Sequence, residues 1–192
     1  AQDAESGKYA FGAPLPPSSD AAEAPAAREE TFPFTVYARA MRRVLAEYGE
    51  KLLEKPPKNG VPQLKSALKN YLLRSRALNV NENQIVIGAG AEYLYGLIVD
   101  LLGRDKTYAI ESPSYEKIEQ VYRAAGVRYE LLPLSDDGID GAALSGSGAD
   151  ILHTTPYRSF PTGVTASASK RYEYICWAEK GGRFIVESDY DS

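Results

Sequence analysis

The stretch Gln84-Ile85-Val86-Ile87-Gly88-Ala89-Gly90, followed by the apolar run Ala91 to Leu102 and then by Thr107-Tyr108-Ala109-Ile110, decides the fold class. A short β-rich run ends in glycines, a segment of helical length follows, and a second β-rich run comes next. Working outward toward the C-terminus, the same alternation recurs. Tyr115 to Ala125 predicts a helix, Arg128 to Leu132 a strand and Asp140 to Leu144 a short helix. Asp150 to His153 predicts a strand, Ser167 to Glu179 a helix and Arg183 to Val186 a final strand. Strands and helices alternating at this spacing imply right-handed crossovers and a mostly parallel sheet flanked by helices, a three-layer α/β fold. In such sheets ligands sit beyond the carboxyl ends of the strands.

Working outward toward the N-terminus, the texture is helical and then irregular. Order is expected to begin at Thr31-Phe32-Pro33-Phe34, where Pro33 suits a helix's first turn. Tyr37, Met41, Val44, Leu45 and Tyr48 then fall on one helical face. The stretch Lys55 to Gly60 is a break, and a second amphipathic helix carries Leu64, Leu68, Tyr71 and Leu72 on its stripe. Residues 1–30, rich in Ala, Pro, Ser and acids, show no period and read as an extended arm or loop. The expected organisation is therefore an arm at 1–30, an N-terminal helical segment at 31–80 and the first half of a large α/β domain at 81–192.

The 192 residues carry a formal net charge of −4, with 44 % hydrophobic and 25 % charged residues. That balance supplies apolar material for one large core, and the acidic sign argues against a nucleic-acid surface on this chain itself. Arg39, Arg42 and Arg43 form a tight basic cluster, whose helical spacing reads as a solvated helix face. The single cysteine, Cys176, cannot form an internal disulfide and suits a reducing, cytoplasmic setting. The apolar run around it, Tyr174 to Ala178, predicts a buried structural thiol. The single histidine, His153, has no carboxylate or thiol at ligand spacing, so neither a zinc site nor a histidine-based triad is expected. No uncharged apolar run is long enough to span a bilayer, and no signal peptide opens the chain, so no membrane partner is expected.

Four stretches carry candidate chemistry, and all lie at predicted strand ends. In Ile87-Gly88-Ala89-Gly90-Ala91-Glu92-Tyr93, glycine lets the backbone approach an anion, and the free N–H groups of the helix then face it with a favourable dipole. A phosphate cradle and a simple tight turn are the two readings. The spacing is not a Walker loop, because no Gly-Lys-Ser/Thr follows, and Tyr93 stands where Gly-x-Gly-x-x-Gly needs its third glycine. Glu92 suits a helix's first turn but repels a phosphate unless it points away. In Glu111-Ser112-Pro113-Ser114-Tyr115, Ser112 or Ser114 caps the next helix, or Tyr115 offers a flat face to an aromatic cofactor. The stretch Thr154 to Gly163 makes a long stiff loop, in which Arg158 meets a carboxylate or phosphate in bidentate fashion or is an exposed surface arginine. In Ile185 to Ser192, strand alternation puts Ser188 and Tyr190 on one face and Glu187, Asp189 and Asp191 on the other. An acidic metal site is the rival reading there, with no second ligand cluster to support it; no metal is expected.

In this order and spacing the four stretches resemble the fold-type I pyridoxal-phosphate (PLP)-dependent aminotransferases. The resemblance is greatest to the aminotransferase-like domain of MocR-like regulators of the GntR superfamily, in which a DNA-binding winged helix precedes that domain. It covers residues 30–192 and rests on Phe32-Pro33-Phe34 opening a helix, Gly60 followed by Leu64, and Tyr71-Leu72 before the first strand. It continues through Gly88 to Leu94, Glu111 to Tyr115, Thr155 to Gly163 and Glu187 to Ser192, the last two being the most specific. The resemblance implies that the backbone of Gly90, Ala91 and Glu92 holds the cofactor phosphate and that Tyr115 stacks on the pyridine ring. It implies that the loop around Arg158 and Ser159 borders cofactor and substrate, that Tyr190 hydrogen-bonds the ring hydroxyl, and that Ser188 approaches the pyridine nitrogen. It implies an amino-acid or amine effector or substrate and a homodimer, with DNA contacted only through a domain outside this chain.

The sequence also departs from that family. Aspartate usually stands where Ser188 does, and a carboxylate keeps the ring nitrogen protonated, which a hydroxyl cannot do. Tyr157-Arg158-Ser159 replaces a segment that in the group usually reads Ser-His-Gln. The family's Schiff-base lysine follows the Asp-Tyr motif, whereas Lys170 and Lys180 precede it. The chain is thus expected to be a front half of the PLP fold, without a catalytic residue of its own and inactive alone. The expected function is the effector-sensing part of a MocR-like regulator; a working aminotransferase and a dimerisation scaffold are the alternatives.

Overall fold

The structure, a computed structural model, describes residues 32–190. The arm expected at 1–30, together with Thr31, Asp191 and Ser192, lies outside the described residues. The chain divides into two compact units, one ending at Lys55 and one beginning at Pro56. The sequence instead suggested a boundary near residue 80.

In the first unit Pro33 caps α1 (Phe34–Tyr48), and its carbonyl accepts the N–H groups of Val36 and Tyr37 at 3.0 and 3.1 Å. A residue with fixed φ and no N–H is well placed at a helix start. Gly49, at φ 50°, ends the helix and opens a 3₁₀ turn, Gly49–Leu53. The expected stripe is present, but α1 buries no residue, and Tyr37, Met41, Val44 and Leu45 are all exposed. Periodicity identifies an apolar face without saying what covers it.

The second unit opens with α2 (Pro62–Arg76), which has proline in its first turn and a left-handed Ala77 at its end. Its stripe is only partly covered: Leu64 and Tyr71 are exposed, Leu68 and Leu72 are half-buried, and the buried residue is Lys65. The strand expected at Gln84–Ile87 does not form. Gln84 closes a 3₁₀ turn, Glu82–Gln84, where its side-chain oxygen accepts the Asn81 N–H at 2.8 Å. The Ile87 N–H then donates to the Asn59 carbonyl. A strand needs a partner's edge, and among the described residues none runs beside Ile85 to Ile87.

The remaining elements are α3 (Ala91–Leu102), β1 (Thr107–Ser112), α4 (Glu116–Ala124), β2 (Arg128–Ser135), β3 (Gly138–Ile139), α5 (Gly141–Gly146), β4 (Ile151–Thr154), α6 (Ala168–Gly181) and β5 (Phe184–Glu187), in the predicted order except for the two-residue β3, which the sequence did not predict. The sheet order is β3-β2-β1-β4-β5, parallel throughout except for the short β3 against β2. Alternation along the strands separates two cores. On one face Tyr108, Ile110 and Ile151 pack with Val99, Ile118 and Tyr122 of α3 and α4. On the other, Ala109, Leu132 and Leu152 pack with Tyr174, Trp177 and Ala178 of α6. Continued along β5, the alternation puts Val186 on the α3/α4 side, and Ser188, two residues on, shares it.

Candidate cofactor site

The carboxyl ends of β1, β4 and β5 and the start of α3 meet at a cavity of about 270 Å³, lined by Ala91, Tyr95, Tyr115, Ile118, Thr155, Phe160, Ser188 and Tyr190. Each wall comes from a different element. Ala91 and Tyr95 lie four apart on α3 and therefore on one face. Tyr115 follows β1, Thr155 follows β4, and Ser188 and Tyr190 follow β5. The lining is mainly apolar with a few convergent hydroxyls, and the volume is near the lower end of the roughly 300–1,000 Å³ common for small-molecule sites.

At one end stands the start of α3. Gly90 caps it at φ 93°, with no side chain supplying a cap. The N–H groups of Ala91 and Glu92 have no acceptor among the described residues. A Cβ on Gly90 would meet nothing within 4 Å, so the space before these donors is open. A Cβ on Gly88 would stand 2.7 Å from the side chains of both Leu94 and Tyr93, which would have to shift to admit it. Glu92 is exposed and outside the lining, so it does not crowd that space.

Tyr115, 44 % exposed, meets Phe160 edge to face, with centroids 6.2 Å apart and planes at 79°. Tyr190 donates its hydroxyl to the carbonyl of Arg158 at 2.6 Å. Beneath the cavity floor runs a buried polar chain. The hydroxyl of Ser188 lies 2.8 Å from Tyr95 Oη and 2.8 Å from His153 Nε2, and His153 Nδ1 lies 2.7 Å from Tyr122 Oη. His153 and Tyr122 are 1 % and 0 % exposed. Burial lowers the imidazole pKa to about 4 and pushes the Tyr122 phenol far above its usual range.

The loop at 154–163 is tied down from below by Glu111, a carboxyl 3 % exposed. Glu111 accepts the Thr154 hydroxyl at 2.5 Å, the Thr155 N–H at 2.8 Å and the Ser159 hydroxyl at 2.6 Å. Burial raises its pKa, and those three donors oppose the rise.

The expected residues thus divide. Ala91, Tyr115, Ser188 and Tyr190 share the cavity, with Gly90 and Glu92 at its α3 end. Arg158 is outside the lining and reaches the site through its carbonyl, at a positive φ of 47° with its N–H donated to Thr165 Oγ1. Ser159 is buried and its hydroxyl is committed to Glu111 rather than to the cavity. Asp189, outside the lining, pairs with Arg76 of α2. Among the described residues no group of three or more His, Cys, Asp or Glu stands ready for a metal ion, and no helix is long and apolar enough to cross a membrane.

The family model for aminotransferase class I and II matches residues 21–169. The chain belongs to that family. It is 32 % identical over 165 residues to the Uncharacterized HTH-type transcriptional regulator YdfD of Bacillus subtilis (strain 168), covering 83 % of this chain and 34 % of that protein. To the Uncharacterized HTH-type transcriptional regulator YdeL of the same organism it is 26 % identical over 160 residues, covering 83 % and 35 %. Among solved structures, LysN, an alpha-aminoadipate aminotransferase from Thermus thermophilus complexed with N-(5'-phosphopyridoxyl)-L-leucine, shares the fold with a TM-score of 0.71. The identity is 24 %, over 82 % of this chain and 40 % of that one. The chain spans about a third of the length of the curated relatives it matches.

Three parts of this candidate site escaped the sequence reading. Tyr95 carried a usable signal, since it follows Ala91 by one helical turn. His153 and Tyr122 did not, because nothing in their local sequence pairs residues 31 positions apart. Glu111 was read only as part of a capped turn, and its three donors become neighbours only when β1 and β4 pair.

Proposed function

We propose that this aminotransferase-like domain binds PLP in the cavity at the ends of β1, β4 and β5 and serves as the effector-sensing part of a MocR-like transcriptional regulator. The observation that carries the reading is the convergence of an uncapped helix start, a flat aromatic wall and the two β5-end residues on one cavity. The donor set suits the group. The N–H groups of Ala91 and Glu92 would hold the phosphate with the help of the helix dipole. Tyr115, braced by Phe160, would cover the ring and exclude water. Tyr190 gives its proton to the Arg158 carbonyl, so toward the cavity its oxygen is an acceptor, and a ring hydroxyl would donate to it. PLP supplies an electron sink for amino compounds when bound. With a serine at 188, the described lining supplies no carboxylate to charge the ring, which supports sensing over turnover.

Regulators among the relatives support the sensing reading, and the aminotransferase fold keeps a working transaminase as the second. The test loads the full-length protein with PLP and presents the standard amino acids and simple amines. Sensing predicts that at least one of them raises the melting temperature, with keto-acid release accelerated tenfold or more by Ser188→Asp. Keto-acid release that is unchanged or slower in Ser188→Asp would favour the transaminase.

A further inference from the structure

We propose that Tyr122, His153 and Ser188 form a directional hydrogen-bond relay that fixes the His153 tautomer and presents a neutral donor at the cavity floor, so that the site selects a pyridine ligand whose ring nitrogen is unprotonated. This rests on the PLP reading for the ligand, and on the polar chain alone for its direction.

The direction follows from counting protons. Tyr122 is fully buried, keeps its phenol proton, and has one acceptor within reach among the described residues, His153 Nδ1. A buried O–H left without an acceptor is unfavourable, so Tyr122 donates and Nδ1 is the bare nitrogen. The neutral imidazole then carries its proton on Nε2 and donates it to Ser188 Oγ, 2.8 Å away. Tyr95, whose ring packs edge-on against the imidazole with centroids 4.8 Å apart, completes the set. Ser188 and Tyr95 own two hydroxyl protons, and the 2.8 Å bond between them uses one. The other has no acceptor among the described residues, and both residues line the cavity.

A surplus neutral donor is matched by a lone pair. A protonated pyridine would bring a buried positive charge to a floor of hydroxyls that has, among the described residues, no carboxylate to offset it. The nearby acids do not serve: Asp189 is paired with Arg76, and Glu111 lies buried among its own three donors. Tyr122 and His153 are positioning residues in this account, and Ser188 with Tyr95 makes the contact.

Two measurements test it separately. His153 is the only histidine of the chain, so ¹⁵N-histidine labelling of untagged protein gives one ring to read in long-range ¹H–¹⁵N spectra. The relay predicts a bare Nδ1 and a protonated Nε2 between pH 6 and 8, with Tyr122→Phe shifting that tautomer balance. An Nδ1–H tautomer or an imidazolium in the unmodified chain overturns it. The second measurement uses pyridoxamine 5'-phosphate labelled with ¹⁵N in the ring, which carries an amine in place of the aldehyde and so does not react with lysines. The bound nitrogen should resonate in the range of unprotonated pyridine at pH 7, and Ser188→Asp should move it to the protonated range. A protonated nitrogen in the unmodified chain overturns the selectivity claim. Absence of saturable binding overturns the PLP reading and the ligand half with it, leaving the relay to the histidine spectrum.

Discussion

At the scale of single residues, two buried titratable groups govern how the site is held. Glu111 joins the end of β1 to β4 and the following loop through three donors. Glu111→Ala orphans all three and is expected to cost about 2–4 kcal/mol of unfolding free energy in urea titrations. Glu111→Gln keeps an oxygen for Thr154 and Thr155 and should cost less. His153 sets a pH slope of known sign. Its folded pKa, about 4, lies below the ordinary value of 6.5, so between those values the unfolded chain takes up a proton that the folded chain refuses. Its contribution is complete above pH 6.5 and is lost as pH falls toward 4, on the order of 3 kcal/mol across the window. Glu111, raised by burial, acts with the opposite sign, costing stability as pH rises above the ordinary carboxyl range. The two separate in urea midpoints at pH 7 and 4.5, because His153→Gln should remove the first slope and leave the second.

At the scale of elements, the start of α3 carries the most specific local requirement. Gly90 sits at φ 93° in front of open space, so Gly90→Ala fits sterically and is strained in its backbone, at a cost of about 1–2 kcal/mol. If the strain is relieved by moving the turn, pyridoxamine phosphate should bind at least tenfold more weakly, a loss that calorimetry reads directly. This element was also the most legible in the sequence: Ala91 to Leu102 is long, apolar and preceded by glycine, and the helix has those bounds. The Ser188 and Tyr190 placement was legible too, because period-two alternation is local. Other elements were not. The run Ile85 to Ile87 has β composition, but Gln84 spends its side chain on a turn and no strand lies alongside. β3 is two residues long and exists through pairing with β2 and through the Tyr174 hydroxyl, which accepts the Ile139 N–H at 2.7 Å. Ser159 looked like a loop residue at the ligand edge, and only the β1–β4 pairing reveals the buried carboxyl that claims it.

At the scale of the whole molecule, the described residues expose much apolar surface. Among the described residues β5 pairs only with β4, and Phe184 on it is 52 % exposed. Val86, Leu64 and Tyr71 are exposed in the same unit, and α1 shows its stripe to solvent in the other. Free strand edges and exposed apolar faces favour association, so sedimentation velocity is expected to show a concentration-dependent dimer or larger species at micromolar protein. A monomer at every concentration would argue against the homodimer that the family resemblance implies. The central claim is that the cavity at the ends of β1, β4 and β5 takes a phosphorylated pyridine cofactor. Isothermal titration of the chain with pyridoxamine 5'-phosphate and with pyridoxamine tests it most directly, since the two differ only in the phosphate that the start of α3 should hold. The account predicts one saturable site per chain with the phosphorylated ligand at least tenfold tighter, a difference of about 1.4 kcal/mol or more. Equal affinity for the two ligands, or no saturable binding of either, would contradict it.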